Sequence, residues 1–329
     1  MLPEGSNSAD YREPPSGAEP EDDPSAVASE WRDGMVDAAL HGERLDKAVV
    51  AMAPEFSRSH LQQLIETGHV QIDGAVADTS SRRVRFGQKL RLELVPTEES
   101  RAFRPQAMHL VVLYEDAHLL VLDKPAGCVV HPAPGNWTGT LLNGLLAHHA
   151  PAAGLPRAGI VHRLDKDTSG VMMVGKTLQA VTALARDIAA RTVHRRYLAL
   201  VHGRPEKIEF TIDAPVGRDP HVRVRMAVVP GGRPSRTDVR CVATSEGVSA
   251  LSCTLHTGRT HQIRVHLSAR GLPLLADAVY GGRPALGLER QALHATELKL
   301  AHPISREPLT FTCDPPADFA SAWQQITQT

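Results

Sequence analysis

Apolar and polar positions follow two rhythms along the chain, one helical and one with a period of two. Residues 43–56 place Leu45, Val49 and Met52 on one helical face. Ser57 or Ser59 can cap a second helix whose inner face is Leu61, Leu64 and Ile65, and Gly68 ends it. Val70 and Ile72 then alternate, and Asp73-Gly74 signals a hairpin turn. Residues 89–94, KLRLEL, alternate strictly and predict a half-buried strand. Two apolar runs in residues 110–122 break at Glu115-Asp116, which reads as another hairpin.

Helical spacing returns at residues 140–149, with Leu141, Leu142, Leu145 and Leu146 inward. Residues 171–174 form a short buried strand. Thr177 can cap a helix reaching residue 190, with Leu178, Val181, Leu184 and Ile188 on one face. Residues 197–201, 208–212, 222–228, 237–243, 248–255 and 295–301 read as strands, and 259–269 as a helix that Gly271 ends. Strands outnumber helices and many are joined by short loops. The fold class is therefore α+β, with a largely antiparallel or mixed sheet.

Residues 96–107, PTEESRAFRPQA, are polar and flanked by proline, and read as a linker. The expected organisation is a tail over 1–40, a small module over 41–95, the linker over 96–107 and a larger domain over 108–329. A chain of 329 residues can fill two cores. No apolar run approaches the length of a membrane span, and the first residues show neither a basic nor an apolar leader segment. The four cysteines are scattered and form no CxxC pair, so they read as reduced thiols of a cytoplasmic protein. His256, His261 and His266 are spaced five apart, which suits no metal motif, and no metal is expected.

The net charge of −1 hides an asymmetry. Residues 1–30 carry eight acids, one base and five prolines, with almost no large apolar side chains. Such a segment cannot bury enough surface to offset its ordering entropy, so disorder is expected. The remainder has a net charge of +6. An anionic partner for that body is the natural expectation.

The chemistry concentrates in residues 162–170, HRLDKDTSG, where Asp165 stands between Arg163 and Lys166 just before the buried strand. The residues His162, Arg163, Leu164, Asp165, Thr168 and Gly170 resemble the catalytic signature of the RluA/RluD family of pseudouridine synthases, and most closely its RluD branch. Three further segments stand in that family's order: Asp123-Lys124-Pro125-Ala126-Gly127, Arg196-Tyr197-Leu198-Ala199, and residues 255–266, LHTGRTHQIRVH. The resemblance spans roughly residues 40–325. Residues 41–95 also resemble the small RNA-binding module first named for ribosomal small-subunit protein S-four.

The resemblance implies a pseudouridine-synthase fold behind an S-four-like domain. It implies isomerisation of uridine in large-subunit (23S) ribosomal RNA, at the helix-69 stem-loop, without a cofactor. Asp165 is then the catalytic carboxylate, Arg264 its guanidinium partner through two parallel bonds, and Tyr197 the ring against the uracil and the group that removes the late proton. Leu198 and Val265 are expected to wall the pocket. Arg163 is expected to fill the space of the flipped base and His162 to meet the RNA backbone. Arg44, Lys47, Arg58 and His60 are expected RNA contacts of the small module. Ribosomal RNA is the expected partner and a monomer the expected state. The residues leave open a sister synthase acting on other ribosomal or transfer RNA uridines, a non-catalytic assembly factor, and, from Asp165 with Asp167, a retaining glycosidase.

Overall fold

The computed structural model describes residues 30–95, 102–133, 135–222 and 225–328. The chain divides into two units, residues 1–97 and 98–329.

The first unit begins with β1 (Glu30–Met35), followed by α1 (Leu45–Met52), α2 (Arg58–Glu66), β2 (Val70–Ile72), β3 (Ala75–Val76) and β4 (Lys89–Leu94). Ser57 caps α2 by accepting from the His60 amide at 3.3 Å. Asp73 and Gly74 both take positive φ, 51° and 82°, the turn that suits the twist of a tight hairpin. The four strands run in the order β1-β4-β2-β3. Leu45, Val49, Leu61, Ile65, Val70, Ile72, Leu90 and Leu92 share one core.

The expected tail over 1–40 is corrected at its end, because β1 pairs antiparallel with all of β4. Its residues are exposed or half-buried, so no apolar alternation marks the strand. Residues 1–29, where the acidic segment falls, lie outside the described residues.

The second unit runs β5 (Val111–Glu115), β6 (Leu119–Lys124), α3 (Leu141–His148), β7 (Ser169–Gly175), α4 (Leu178–Ala189), β8 (His194–His202), β9 (Glu209–Asp213), β10 (Val216–Arg218), β11 (Met226–Val228), β12 (Arg236–Ser245), β13 (Val248–Leu255), α5 (Gln262–Ala269), β14 (Leu293–Ala301), β15 (Pro308–Thr312) and α6 (Ala317–Thr327). The main sheet has the order β5-β6-β7-β14-β8-β13-β12-β9, with β15 on the free part of β14. Only β7 and β14 pair in parallel among its described strands; the other pairs are antiparallel. The sheet is therefore mixed.

Both faces of the sheet are covered. Leu120, Leu122, Met172, Val174, Tyr197 and Ala199 face one core with α3 and α5. Leu119, Val121, Val171 and Met173 face the opposite side with Leu184 of α4. Leu200 and Ala250 on that side meet Phe319, Ala322 and Ile326 of α6. This period-two division sets which side chains of β8 can reach the site.

The linker expected over 96–107 is also corrected. Ala102 is buried, and the Asn143 side-chain amide donates to the carbonyls of Ala102 at 3.0 Å and Arg104 at 2.8 Å. Residues 102–107 therefore belong to the second unit. Among the described residues no helix is long and apolar enough to cross a membrane.

Candidate active site

The signature stretch is an irregular loop held at three consecutive residues. Ile160 bridges Val174, so the chain leaves the side of β7, turns through the loop, and re-enters as β7. Lys124, at the end of β6, donates from Nζ to the Lys166 carbonyl at 3.0 Å, and also to the carbonyls of Pro125 at 2.7 Å and Cys128 at 3.0 Å. Arg290 donates from Nη1 to the Asp167 carbonyl at 2.9 Å. Its other two nitrogens are taken by Asp318 of α6, at 2.7 and 3.0 Å. Gln291 donates to the Thr168 hydroxyl at 2.8 Å.

Burial pushes the Lys124 amine down to about 8, with the thiol of Cys128 and the carboxylates of Asp167 and Asp165 acting against that shift. Three carbonyl acceptors satisfy a charge that has no access to water. Gly170 takes a φ of 119°, and a Cβ there would collide with the Ala295 carbonyl of β14. The last glycine of HRLDKDTSG thus permits the close approach of the two parallel strands.

Asp165 stands immediately before these three ties. Its Oδ2 accepts from Arg264 Nη1 at 3.0 Å, and Oδ1 lies 3.9 Å from His261 Nε2. The two-bond fork expected between Arg264 and Asp165 is corrected: it goes to Asp277. Arg264 Nε donates to Asp277 Oδ2 at 2.7 Å, and Nη2 donates to Oδ1 at 2.9 Å. Asp277 is buried and follows Ala276, whose φ of 58° turns the chain. Burial works against the charge on Arg264, but the two carboxylates outweigh it, so the guanidinium is raised above its ordinary value. The Arg264 guanidinium also lies 4.9 Å over the ring of Tyr280.

His261 precedes α5 with a φ of 54°, and its Nδ1 shares a 2.9 Å hydrogen bond with the Tyr280 hydroxyl. Burial lowers the His261 imidazole, and Asp165 acts in the opposite direction. Sequence reasoning missed Asp277, His261 and Tyr280 as parts of the site. Lys124 stood in a recognised segment, but nothing in that segment showed what the amine holds.

Asp165 opens into a cleft of about 770 Å³. Tyr197 lines it from the inner face of β8 and is itself buried. Burial raises its hydroxyl, with Arg195 lowering it and Asp165 raising it further, so the side chain is a neutral phenol. Arg163 is exposed on the cleft. His162 also lines the cleft, and its Nε2 accepts from the Met173 amide at 3.0 Å.

The expected wall residues are corrected. Leu198 points to the other face of β8, where it packs with the α6 core. Val265 packs with Val216 and Tyr280. The apolar wall comes instead from Leu142, Ile160, Leu164, Ile263 and Leu293.

The small module's expected RNA contacts are largely engaged within the module. Arg44 and Arg58 both donate to the fully buried Asp46, at 3.0 and 2.9 Å, and Gln62 adds a third bond at 2.7 Å. Lys47 pairs with Glu43 at 2.9 Å. His60 packs its ring against Phe56, and burial lowers its imidazole, so it stays neutral. Arg82 and Arg85, between the strands, are exposed.

Residues 43–90 match the S4 domain family, and residues 118–269 match the family described as RNA pseudouridylate synthase. The ribosomal large subunit pseudouridine synthase D of Nitrosomonas europaea is 46% identical over 316 residues, covering 92% of this chain and 91% of that protein. The protein of the same name from Xanthomonas campestris is 44% identical, covering 88% of this chain and 91% of its own.

The chain belongs to the ribosomal large subunit pseudouridine synthase D family.

It is an RNA pseudouridine synthase. A solved structure, human RNA pseudouridylate synthase domain containing 1, superposes with a TM-score of 0.52 at 26% identity, covering 69% of this chain and 89% of the human one. Its match carries the fold of the synthase unit. In this synthase, the loop over residues 162–168 is the segment that the three ties from Lys124, Arg290 and Gln291 hold in place.

Proposed function

We propose that this synthase isomerises uridines of large-subunit (23S) ribosomal RNA, in the helix-69 stem-loop, with Asp165 as the essential carboxylate. One observation supports Asp165 in that role: it is held 3.0 Å from a buried, fork-anchored Arg264 on a cleft. The reaction breaks the bond between ribose and the uracil nitrogen and rejoins the base through a ring carbon. Its atoms and electrons balance within the nucleotide, so the chemistry needs no cofactor. Asp165 serves either as nucleophile at the sugar or as the base that starts elimination.

Arg264 sets a counter-charge beside Asp165, and Asp277 keeps Arg264 from swinging away. Tyr197 packs against the uracil face. For it to take the late proton from the ring carbon, the neutral phenol must first pass on its own proton. Flipping the uridine costs a few kcal/mol, and Arg163 fills the space it leaves in the stack. The exposed Arg82 and Arg85 of the S4 domain carry the phosphate contacts there, in preference to Arg44, Lys47 and Arg58, which are already paired.

The test is chemical mapping of pseudouridine in RNA from cells with and without this protein. Loss at helix-69 uridines is the expected result. Loss only at other ribosomal or transfer RNA positions replaces the substrate assignment. An unchanged map, with altered subunit assembly, supports a non-catalytic role.

A further inference from the structure

Several donors of the cleft have no acceptor. Arg195 lies on β8, two residues before Tyr197 and on the same inner face. It is 6% exposed, its Nε has no hydrogen-bond partner, and no carboxylate lies within ion-pairing distance among the described residues. A buried guanidinium without a counter-charge is costly, so it needs a reason. Arg259 lines the same cleft, and its Nε is likewise buried without a partner.

His162, the neighbour of Arg195, offers it no acceptor. Its Nε2 accepts from Met173, which leaves the proton on Nδ1, and Nδ1 is buried and unpartnered. Burial first, and the charge of Arg195 second, drive this imidazole down to about 3. The two groups therefore sit close enough to feel each other while sharing no acceptor.

Gly258 explains how the guanidinium is accommodated. Arg195 Nη1 stands 2.7 Å from where a Cβ on Gly258 would be. Gly258 is exposed, so the tip of Arg195 reaches the rim of the cleft beneath it. The single carboxylate lining the cleft, Asp165, is already bonded to Arg264. A ligand in the cleft can supply the counter-charge that the Arg195 tip lacks. A phosphodiester offers a planar fork two non-bridging oxygens that share one negative charge, whereas the uracil is directed to Asp165 and Tyr197.

We propose that Arg195, with Arg259 on the same cleft, is the receptor for one backbone phosphate next to the target uridine. This rests on the reading that RNA occupies the cleft. Gripping that phosphate fixes the ribose relative to Asp165 once the base has left its stack.

A protein–RNA double-mutant cycle tests this. Full-length protein is bound to a stem-loop RNA containing a uridine that it converts. Each phosphate flanking that uridine is replaced, one at a time, by a neutral methylphosphonate. At one position the replacement is expected to weaken wild-type binding by about tenfold or more. Arg195→Gln is expected to weaken binding of the unmodified RNA similarly and to be indifferent to that one replacement. Gly258→Ala pushes the guanidinium aside without removing a charge, and the same indifference is expected from it with an unchanged melting temperature. Additive losses at every flanking phosphate in both variants, with uridine conversion by the wild type intact, overturn the phosphate site alone. Absence of conversion on the unmodified RNA overturns the reading beneath it, and the site with it.

Discussion

Arg264 and Asp277 face each other through two parallel hydrogen bonds of 2.7 and 2.9 Å, and Arg264 reaches Asp165 through one N–H of Nη1 at 3.0 Å. The charge beside Asp165 is thus aimed by a residue that does not touch it. Asp277→Ala removes one partner of a buried pair and is expected to cost roughly 3–5 kcal/mol of stability. Asp277→Asn keeps one acceptor and the volume, and is expected to fold. Its single-turnover rate is expected to fall by about tenfold, because Arg264 loses its fixed angle. A urea titration and a single-turnover assay on ribosomal RNA fragments measure the two effects. An unchanged rate in Asp277→Asn would show that the fork is structural only.

Asp165→Asn is expected to abolish turnover while leaving the protein folded. The Arg264–Asp277 pair remains neutral as a unit without Asp165, so no orphaned buried charge is created. The rate is expected to drop by roughly a thousandfold or more, several kcal/mol of barrier. RNA affinity, measured by filter binding, is expected to stay within about threefold of wild type.

Arg264→Lys keeps the charge but cannot hold Asp277 through a fork and reach Asp165 together. The chemical step is expected to slow by at least about tenfold, or 1.4 kcal/mol. Arg264→Met is expected to be slower still and less stable, since Asp277 is then buried without a partner. Rapid-quench kinetics on the two variants gives the order.

Asp46 gives the S4 unit an acid-sensitive core. The bond from Arg44 holds its carboxyl well below the usual range, burial opposes this, and Arg58 and Gln62 add to the lowering. A carboxyl lowered on folding contributes stability that is present above its unfolded value, about 4, and lost as the pH falls toward the folded value. Peptides of α1 and α2 are therefore expected to exchange hydrogen faster below about pH 4, and Asp46→Asn is expected to flatten that dependence. Hydrogen exchange read by mass spectrometry on the full chain tests it. Equal pH dependence in the two proteins counts against the assignment.

Deleting residues 1–100 spares Ala102 and the packed segment that follows it. The remaining unit is expected to fold and to convert uridine with weaker binding and relaxed site choice. Loss of the S4 cations is expected to lower the slope of log affinity against log salt by about one for each phosphate contact removed. Equal slopes would place the phosphate contacts wholly in the synthase unit.

The strands and helices with strong internal patterns were legible from residue order alone. The KLRLEL strand, the hairpin at Asp73-Gly74 and the Thr177-capped helix each carry a local signal that packing did not override. β1 was not legible, because its side chains are largely exposed and its stability comes from backbone pairing with β4. Likewise β15 starts at a proline and is never fully buried. In the site, Asp165, Tyr197 and Arg264 stand in motifs, and the structure brings all three to one cleft. Asp277 stands in an apolar stretch with no spacing to mark it, and its direction depends on the turn at Ala276. Leu198 was misplaced because adjacency to Tyr197 in a strand sends a side chain to the opposite face. Arg44 and Arg58 are cations whose partner, Asp46, was hidden inside a helical face.

β14 lies between β7 and β8, yet it follows both by a long stretch of chain. Every earlier strand of the main sheet must therefore wait with its two halves unjoined until residues 293–301 arrive. The same late segment brings Arg290 and Gln291 to the loop around Asp165. A nascent or prematurely ended chain lacking this segment has its carboxylate and the tie from Lys124, but not the two ties from Arg290 and Gln291. It also exposes two unpaired strand edges, which makes it a candidate for aggregation and chaperone capture. The order of synthesis thereby becomes a safeguard: catalytic competence appears only when the domain is nearly whole.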